Sequence, residues 1–191
     1  MEMDGKIKLK ISKNRLIFLA VFCVLVAILI SYLNYRESKK PITSLIYNGY
    51  FLEFRADLRE AQKIKAYPSE EAIYQELFNS DLKNITIAFK SAGEKENPYY
   101  IVEESEMIQK LYLAYKIKNM KPNFNGLEVE SYENLSGTQE NLVIALVHPV
   151  YSNETLIELK DRVIFVKAKD YSDFDLVTIK LIMIGLNITV E

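Results

Sequence analysis

The chain has 191 residues, 24 Lys and Arg against 26 Asp and Glu, one histidine, one cysteine and no tryptophan. A net charge of −2 leaves no cationic surplus for a nucleic-acid backbone. One cysteine and one histidine exclude a disulfide framework, a thiolate zinc site and any metal site built from several histidines.

Residues 1–15 carry Lys6, Lys8, Lys10, Lys13 and Arg15 against only Glu2 and Asp4. Residues 16–35 then carry no charge, and 16–30 hold no polar residue except Cys23. At a helical rise of about 1.5 Å per residue such a run spans about 30 Å, the thickness of a bilayer's hydrocarbon core. Arg36, Lys39 and Lys40 follow, with Glu37. The larger cationic cluster predicts a cytoplasmic N-terminus, a transmembrane helix over 16–35, and a C-terminal domain outside the cell membrane. Tyr32 and Tyr35 stand at the outer end of the run, where amphipathic rings prefer the headgroup level. A cleaved signal peptide needs a shorter apolar stretch and a pair of small residues. Leu29-Ile30-Ser31-Tyr32-Leu33 offers none, so the reading is an uncleaved signal anchor.

After a short linker over 36–42, residues 43–191 are the right length for one domain with its own core. Residues 41–191 hold 16 Lys and Arg against 23 Asp and Glu, a net of −7, which speaks against nucleic acid as a partner and against the domain lying flat on an anionic membrane. Four N-x-[ST] triplets begin at Asn84, Asn134, Asn153 and Asn187. Asn134 and Asn153 lie in loop-like stretches and are the better glycan acceptors; chance occurrence in an Asn-rich chain is the rival reading.

Taken in order, 44–47, Asn48-Gly49 and 50–54 read as a β-hairpin, because Asn-Gly supplies the positive φ angles of a type I′ turn. Residues 56–62 suggest a short helix and 64–67 a short extended piece. Ser69 caps a helix to about Phe78, with Glu70 and Glu71 in its first turn. Residues 85–89 form a strand. Asn97-Pro98 opens the longest helix of the domain, to about Met120. Ile101, Ile108, Leu111, Tyr112 and Tyr115 make its apolar stripe, and Glu103, Glu104 and Glu106 its solvated face. Residues 127–132 alternate as a strand, 133–141 form a polar loop, and 142–147 are continuously apolar, as a central strand covered on both faces should be. Asn153 caps a short helix through Leu159, and 162–168 form a strand. Ser172-Asp173-Phe174-Asp175 resembles a capping box opening a helix over 173–184 that ends at Gly185. That helix is apolar nearly all round and should be buried against the sheet. The fold class is α/β, with the transmembrane helix followed by one three-layer α/β domain containing a mostly parallel sheet.

The chemistry-bearing motifs are missing. There is no G-x-G-x-x-G, phosphate-binding loop, G-x-S-x-G, H-E-x-x-H, C-x-x-C or EF-hand loop, so neither a cofactor nor a metal is expected. In open α/β sheets ligands bind at the carboxyl ends of the strands. There the sequence places Lys90 and Ser91, Ser131 and Tyr132, His148, and Lys169 and Asp170. His148 and Asp170 are the candidate acid–base pair, with Ser91 and Tyr132 as candidate ligand contacts. The competing assignment has His148 capping its strand end by bonding to backbone.

The run Asn141-Leu142-Val143-Ile144-Ala145-Leu146-Val147-His148-Pro149, followed by Asn153, resembles a segment of archaeal cell-surface (S-layer) proteins. There a buried strand runs into Gly-Gly-Pro with an Asn a few residues later. Here Val147-His148 stands in place of the two glycines. The chain as a whole resembles a family of uncharacterised archaeal single-pass membrane proteins, a likeness that implies no activity. Two functions are therefore expected. One is a cell-envelope binding or structural module, held in the lipid bilayer through residues 16–35 and partnered by another envelope protein. The alternative is an anchored, hydrolase-like enzyme using His148 and Asp170. A pilin-like subunit is a weaker third reading, with no processing site evident near Lys13 to Arg15.

Overall fold

The computed structural model describes residues 43–93 and 97–190. The basic segment 1–15, the apolar run 16–35 and the linker 36–42 lie outside them. Among the described residues no helix is long and apolar enough to cross a membrane.

The chain opens with a two-stranded antiparallel hairpin, β1 (Thr43–Tyr47) and β2 (Tyr50–Phe54). Its turn is the expected one: Asn48 and Gly49 both have positive φ, 48° and 81°. Then follow α1 (Leu58–Gln62), β3 (Lys65–Tyr67), α2 (Glu70–Leu77), β4 (Asn84–Phe89), α3 (Asn97–Ile117) and β5 (Asn123–Glu128). The second half adds β6 (Asn141–Val147), a 3-10 turn (Pro149–Tyr151), β7 (Leu156–Lys160), β8 (Val163–Lys167) and α4 (Tyr171–Leu186). Ser69 caps α2 as expected, its hydroxyl accepting the Ala72 N–H at 3.1 Å.

Six strands form one sheet in the order β3-β7-β8-β6-β4-β5. β8, β6, β4 and β5 run parallel, while β7 is antiparallel to β8 and parallel to β3. The sheet is thus mostly parallel, and β6 lies inside it with residues Leu142 to Val147 all buried.

The layering differs from expectation. All four helices contribute to a single large core on one face of the sheet, packed on Ile85, Ile87, Leu142, Ile144, Ile164 and Val166. The other face holds a small core of Ala88, Val143, Ala145 and Val163, covered by Val129, Tyr132 and Leu135 of the loop over 129–140. The domain has two layers and a strap, not three layers. The physical reason lies in the β5-to-β6 connection. It must return past β4 on the face opposite α3, and its polar residues form no helix to cover that face.

Several elements also move. The strand expected over 127–132 is β5, Asn123–Glu128, an exposed edge strand whose side chains show no apolar alternation. The short helix expected from Asn153 through Leu159 is instead β7. Asp161 and Arg162, with φ of 50° and 61°, make a tight turn that folds β7 onto β8, and ladder pairing outweighs the weak helical tendency of five residues. On α3 the buried face is Tyr100, Glu103, Met107, Leu111 and Ala114, while Ile101 and Tyr112 are exposed. Glu103 and Glu106 are buried, not a solvated face. α4 begins one turn's fraction earlier than the capping box suggested, with Asp170 as N-cap accepting the Asp173 N–H at 2.9 Å. Its C-cap is Asn187 in the left-handed region. Gly185 is a packing residue, since a Cβ there would stand 2.7 Å from Leu111 Cδ2.

Ile144 is fully buried in this sheet. Ile144→Asp places an unpartnered carboxylate there at a cost of several kcal/mol, and its cooperative thermal unfolding transition should disappear. A melting curve superimposable on the parent's contradicts the central placement of β6.

Candidate functional site

The connection leaving β4 leads to β5 on one side, and the chain leaving β6 leads to β7 and β8 on the other. This divergence makes the crevice between the carboxyl ends of β4 and β6 the place where an open α/β sheet binds a ligand. Here the protein's own side chains fill it. The Tyr132 hydroxyl, reaching in from the strap, donates to the Leu146 carbonyl at 2.6 Å and accepts the Lys90 N–H at 2.9 Å. It therefore bridges the ends of the two central strands. The Tyr100 hydroxyl lies 3.5 Å away. Burial, then the Tyr132 hydroxyl, holds Tyr100 protonated well beyond the ordinary tyrosine range.

His148 sits beneath this bridge, fully buried. Ring centroids of Tyr171, Tyr100 and Phe174 stand 5.1, 5.2 and 5.9 Å from its own. Its Nδ1 accepts the Val150 N–H at 3.3 Å, so His148 caps the 3-10 turn that follows β6. An accepting Nδ1 assigns the neutral tautomer with the proton on Nε2. Asp170 stands at the start of α4, where its Oδ1 accepts from the Ser172 hydroxyl at 2.8 Å and from the Asp173 N–H. Those two bonds, the hydroxyl first, lower its pKa. The Ser91 carbonyl accepts the Tyr151 hydroxyl at 2.6 Å. The fold thus brings His148, Asp170, Ser91 and Tyr132 to one end of the sheet, as the sequence suggested. Each of them serves the fold there: a turn cap, a helix cap, a loop tie and a strand bridge.

A shallow depression lined by Lys90, Ser91 and Glu128 opens at the ends of β4 and β5, and a further concavity lies elsewhere. On the helix-free face a cavity of about 320 Å³ lies between the strap and the β7–β8 hairpin. Tyr132, Glu133 and Leu135 form its strap wall, and Glu158, Lys160, Asp161, Phe165 and Lys167 its hairpin wall, with Val147 and Tyr151 between. Its walls are fixed. The Gly137 N–H donates to the Asp161 carbonyl at 3.1 Å, and a Cβ on Gly137 would stand 2.3 Å from the Arg162 carbonyl oxygen. Only a glycine lets the strap lie this close to the turn. Lys167 bonds Glu158 at 2.6 Å and stands 5.6 Å from the Phe165 ring centroid. A second depression shares Val147, Tyr151 and Lys167 and runs on to Asn153. Asn134 and Asn153, the two glycan-acceptor candidates, are both exposed and flank this groove. The lining holds aromatic surface, carboxylates and amines, and no histidine, cysteine, serine or threonine in its main chamber. Such a surface can grip a ligand.

Sequence reasoning missed this groove because one of its walls was read as a helix. The signal was present: Leu156-Ile157-Glu158-Leu159-Lys160 and 163–167 are two strand-like runs separated by two residues.

A second buried polar cluster lies between α3 and α4. Burial, then the neighbouring Asp175 carboxylate, pushes Glu103 up to about 9, so it is neutral at pH 7. Nearby Glu106 takes Lys110 at 2.5 Å and Arg55 at 3.8 Å. Among the described residues no group of three His, Cys, Asp or Glu has the geometry to hold a metal ion.

Comparison with family models, with curated proteins and with solved structures finds no match. The functional reading therefore rests on the chain's own chemistry.

Two outcomes are expected. Tyr132→Phe keeps the ring but strands the Lys90 N–H and the Leu146 carbonyl; stability should fall by about 1–3 kcal/mol, read by denaturant titration. Glu103 has a folded pKa above its ordinary 4.5, so the unfolded chain releases this proton first and stability falls as pH rises from about 4.5 to about 9. Glu103→Gln removes that loss. The melting temperatures of variant and parent should lie close at pH 5 and separate in the variant's favour towards pH 9; a constant difference contradicts a neutral Glu103.

Proposed function

We propose that this chain is a membrane-anchored, non-catalytic binding module of the cell envelope. Residues 16–35 hold it in the bilayer, its N-terminus is cytoplasmic, and the groove between strap and β7–β8 hairpin faces a second envelope protein outside. The charge-free run and the basic segment before it support the anchor. The observation that carries the binding reading is the exchange of sites. The crevice where this sheet type binds substrates is filled by Tyr132 and Tyr100, while a fixed-walled groove with aromatic and charged lining stays open on the other face. A hydrolase built on His148 has no such support, since a general base must come within hydrogen-bond reach of its substrate and this imidazole is fully buried.

A photo-cross-linking residue placed at Lys160, which is exposed in the groove, should give one discrete adduct in intact cells. The same residue at Glu71, exposed on α2, should give none. Protease added outside should remove residues 43–191. Adducts of equal yield from both positions refute the groove as the binding face, and full protection of the domain refutes the orientation. Loss of cellular function in His148→Gln with an unmoved melting curve would instead bring the enzyme forward.

A further inference from the structure

We infer that the tip of the β1–β2 hairpin inserts into the interfacial layer of a phospholipid bilayer; this rests on the anchored reading above. Leu52 and Phe54 face inward and are buried, so the hairpin is seated on the core by one side only. On the other side Ile46 pairs with Phe51 across the strands, and these two are 77% and 66% exposed. Towards the base of the same side the pair is Ser44 and Glu53, so the apolar surface is confined to the tip. Tyr50 beside it is 40% exposed, and the Lys116 ammonium stands 5.7 Å from its ring centroid. One helical turn before Lys116 on the same face of α3 is Tyr112, also exposed. The apolar Ile46–Phe51 pair matches acyl chains, while Tyr50 and Lys116, on the core-facing side of the same tip, match the interfacial layer. The chain supplies the proximity. Only residues 36–42 separate the apolar run from Thr43, a tether of at most about 25 Å when fully extended. Its Arg36, Lys39 and Lys40 add cations on the same short path.

The chain has no tryptophan, so Phe51→Trp, excited at a wavelength its tyrosines do not absorb, gives a single tryptophan reporter at the tip. The full chain is reconstituted into vesicles of three parts neutral to one part anionic phospholipid, with or without bromine on the acyl chains. Emission from Phe51→Trp should be blue-shifted and quenched at least twofold by brominated lipid. Leu127→Trp, on the helix-free face, should emit as in water and remain unquenched. Ile46→Ser in the Phe51→Trp background should cut the quenching by half or more. Protein that floats with the vesicles while Phe51→Trp stays unquenched overturns the docking and leaves the anchor standing. Protein that fails to float overturns the anchor, and the docking with it. A blue shift that ignores bromine and grows with protein density shows a second copy seated on the hairpin and also overturns the proposal.

Discussion

Burial of α4 on every side is the constraint around which the rest of the domain is arranged. From Val177 to Leu186 every residue of this helix is buried. A helix apolar all round has no solvent face, so the sheet can cover only one side of it and other helices must cover the rest. α1, α2 and α3 all pack against α4, which itself rests on β7 and β8. Each fully buried Leu or Ile contributes about 1.5–3 kcal/mol, so a helix of this kind concentrates much of the core's stabilisation in one element. The fit is close enough that Gly185 has no room for a methyl group beside Leu111. The one cation in the buried stretch, Lys180, reaches Glu70 and the Gln62 carbonyl and so ties α4 to both short helices. With the ammonium buried, removing Glu70 would leave a charge without its partner, which is far costlier than exposing a surface lysine.

Gathering the helices around α4 leaves the opposite sheet face without helices. A face of Ala88, Val143, Ala145 and Val163 cannot be left to water, and among the described residues the connection that covers it is the polar stretch 129–140. Three apolar groups from that stretch suffice because the face itself is small-residued, and the strap is fastened at both ends. Tyr132 enters the sheet between β4 and β6, and Gly137 lies against the turn at Asp161 and Arg162. The first fastening closes the strand-end crevice; the second fixes one border of the groove. One loop thus removes one binding place and defines another.

The sequence was most legible where a local device acted alone. Asn48-Gly49 defined the hairpin, Ser69 the start of α2, and the unbroken run ending at Val147 the central strand. It was misleading where a tertiary partner decided the outcome. Residues 156–160 became a strand because β8 was available to pair with them. Glu103 and Glu106 are carboxylates on a helix, which in isolation read as solvent-facing; α4 and Lys110 bury them. The α3 stripe held at Leu111 and Tyr115, which are buried, and at Ile108, which packs against the core; Tyr100 and Met107 also belong to the buried face, while Ile101 and Tyr112 are exposed. The candidate site was legible as a place and in part as a role: His148 does cap by bonding to backbone, and it and Asp170 take partners only two and three residues on, whereas the bonds at Ser91 and Tyr132 join residues far apart in the chain and leave no local signal.

The distribution of charge joins these observations. Residues 41–191 carry a net of −7, which repels an anionic bilayer over most of the surface. Around the hairpin, however, Lys116 stands over Tyr50, Lys110 over Phe54, and Arg55 is exposed beside them. Lys118 stands over Tyr74 and Phe78 nearby on α3. Lys116 and Lys118 cover aromatic surface with their stems, while Lys110 is largely buried and paired with Glu106. The groove lies on the sheet face that bears no helices, away from the core on which the hairpin is seated. Under the proposed docking of the hairpin on lipid, the strap face and its groove point away from the hairpin's flank and are left free for the proposed partner.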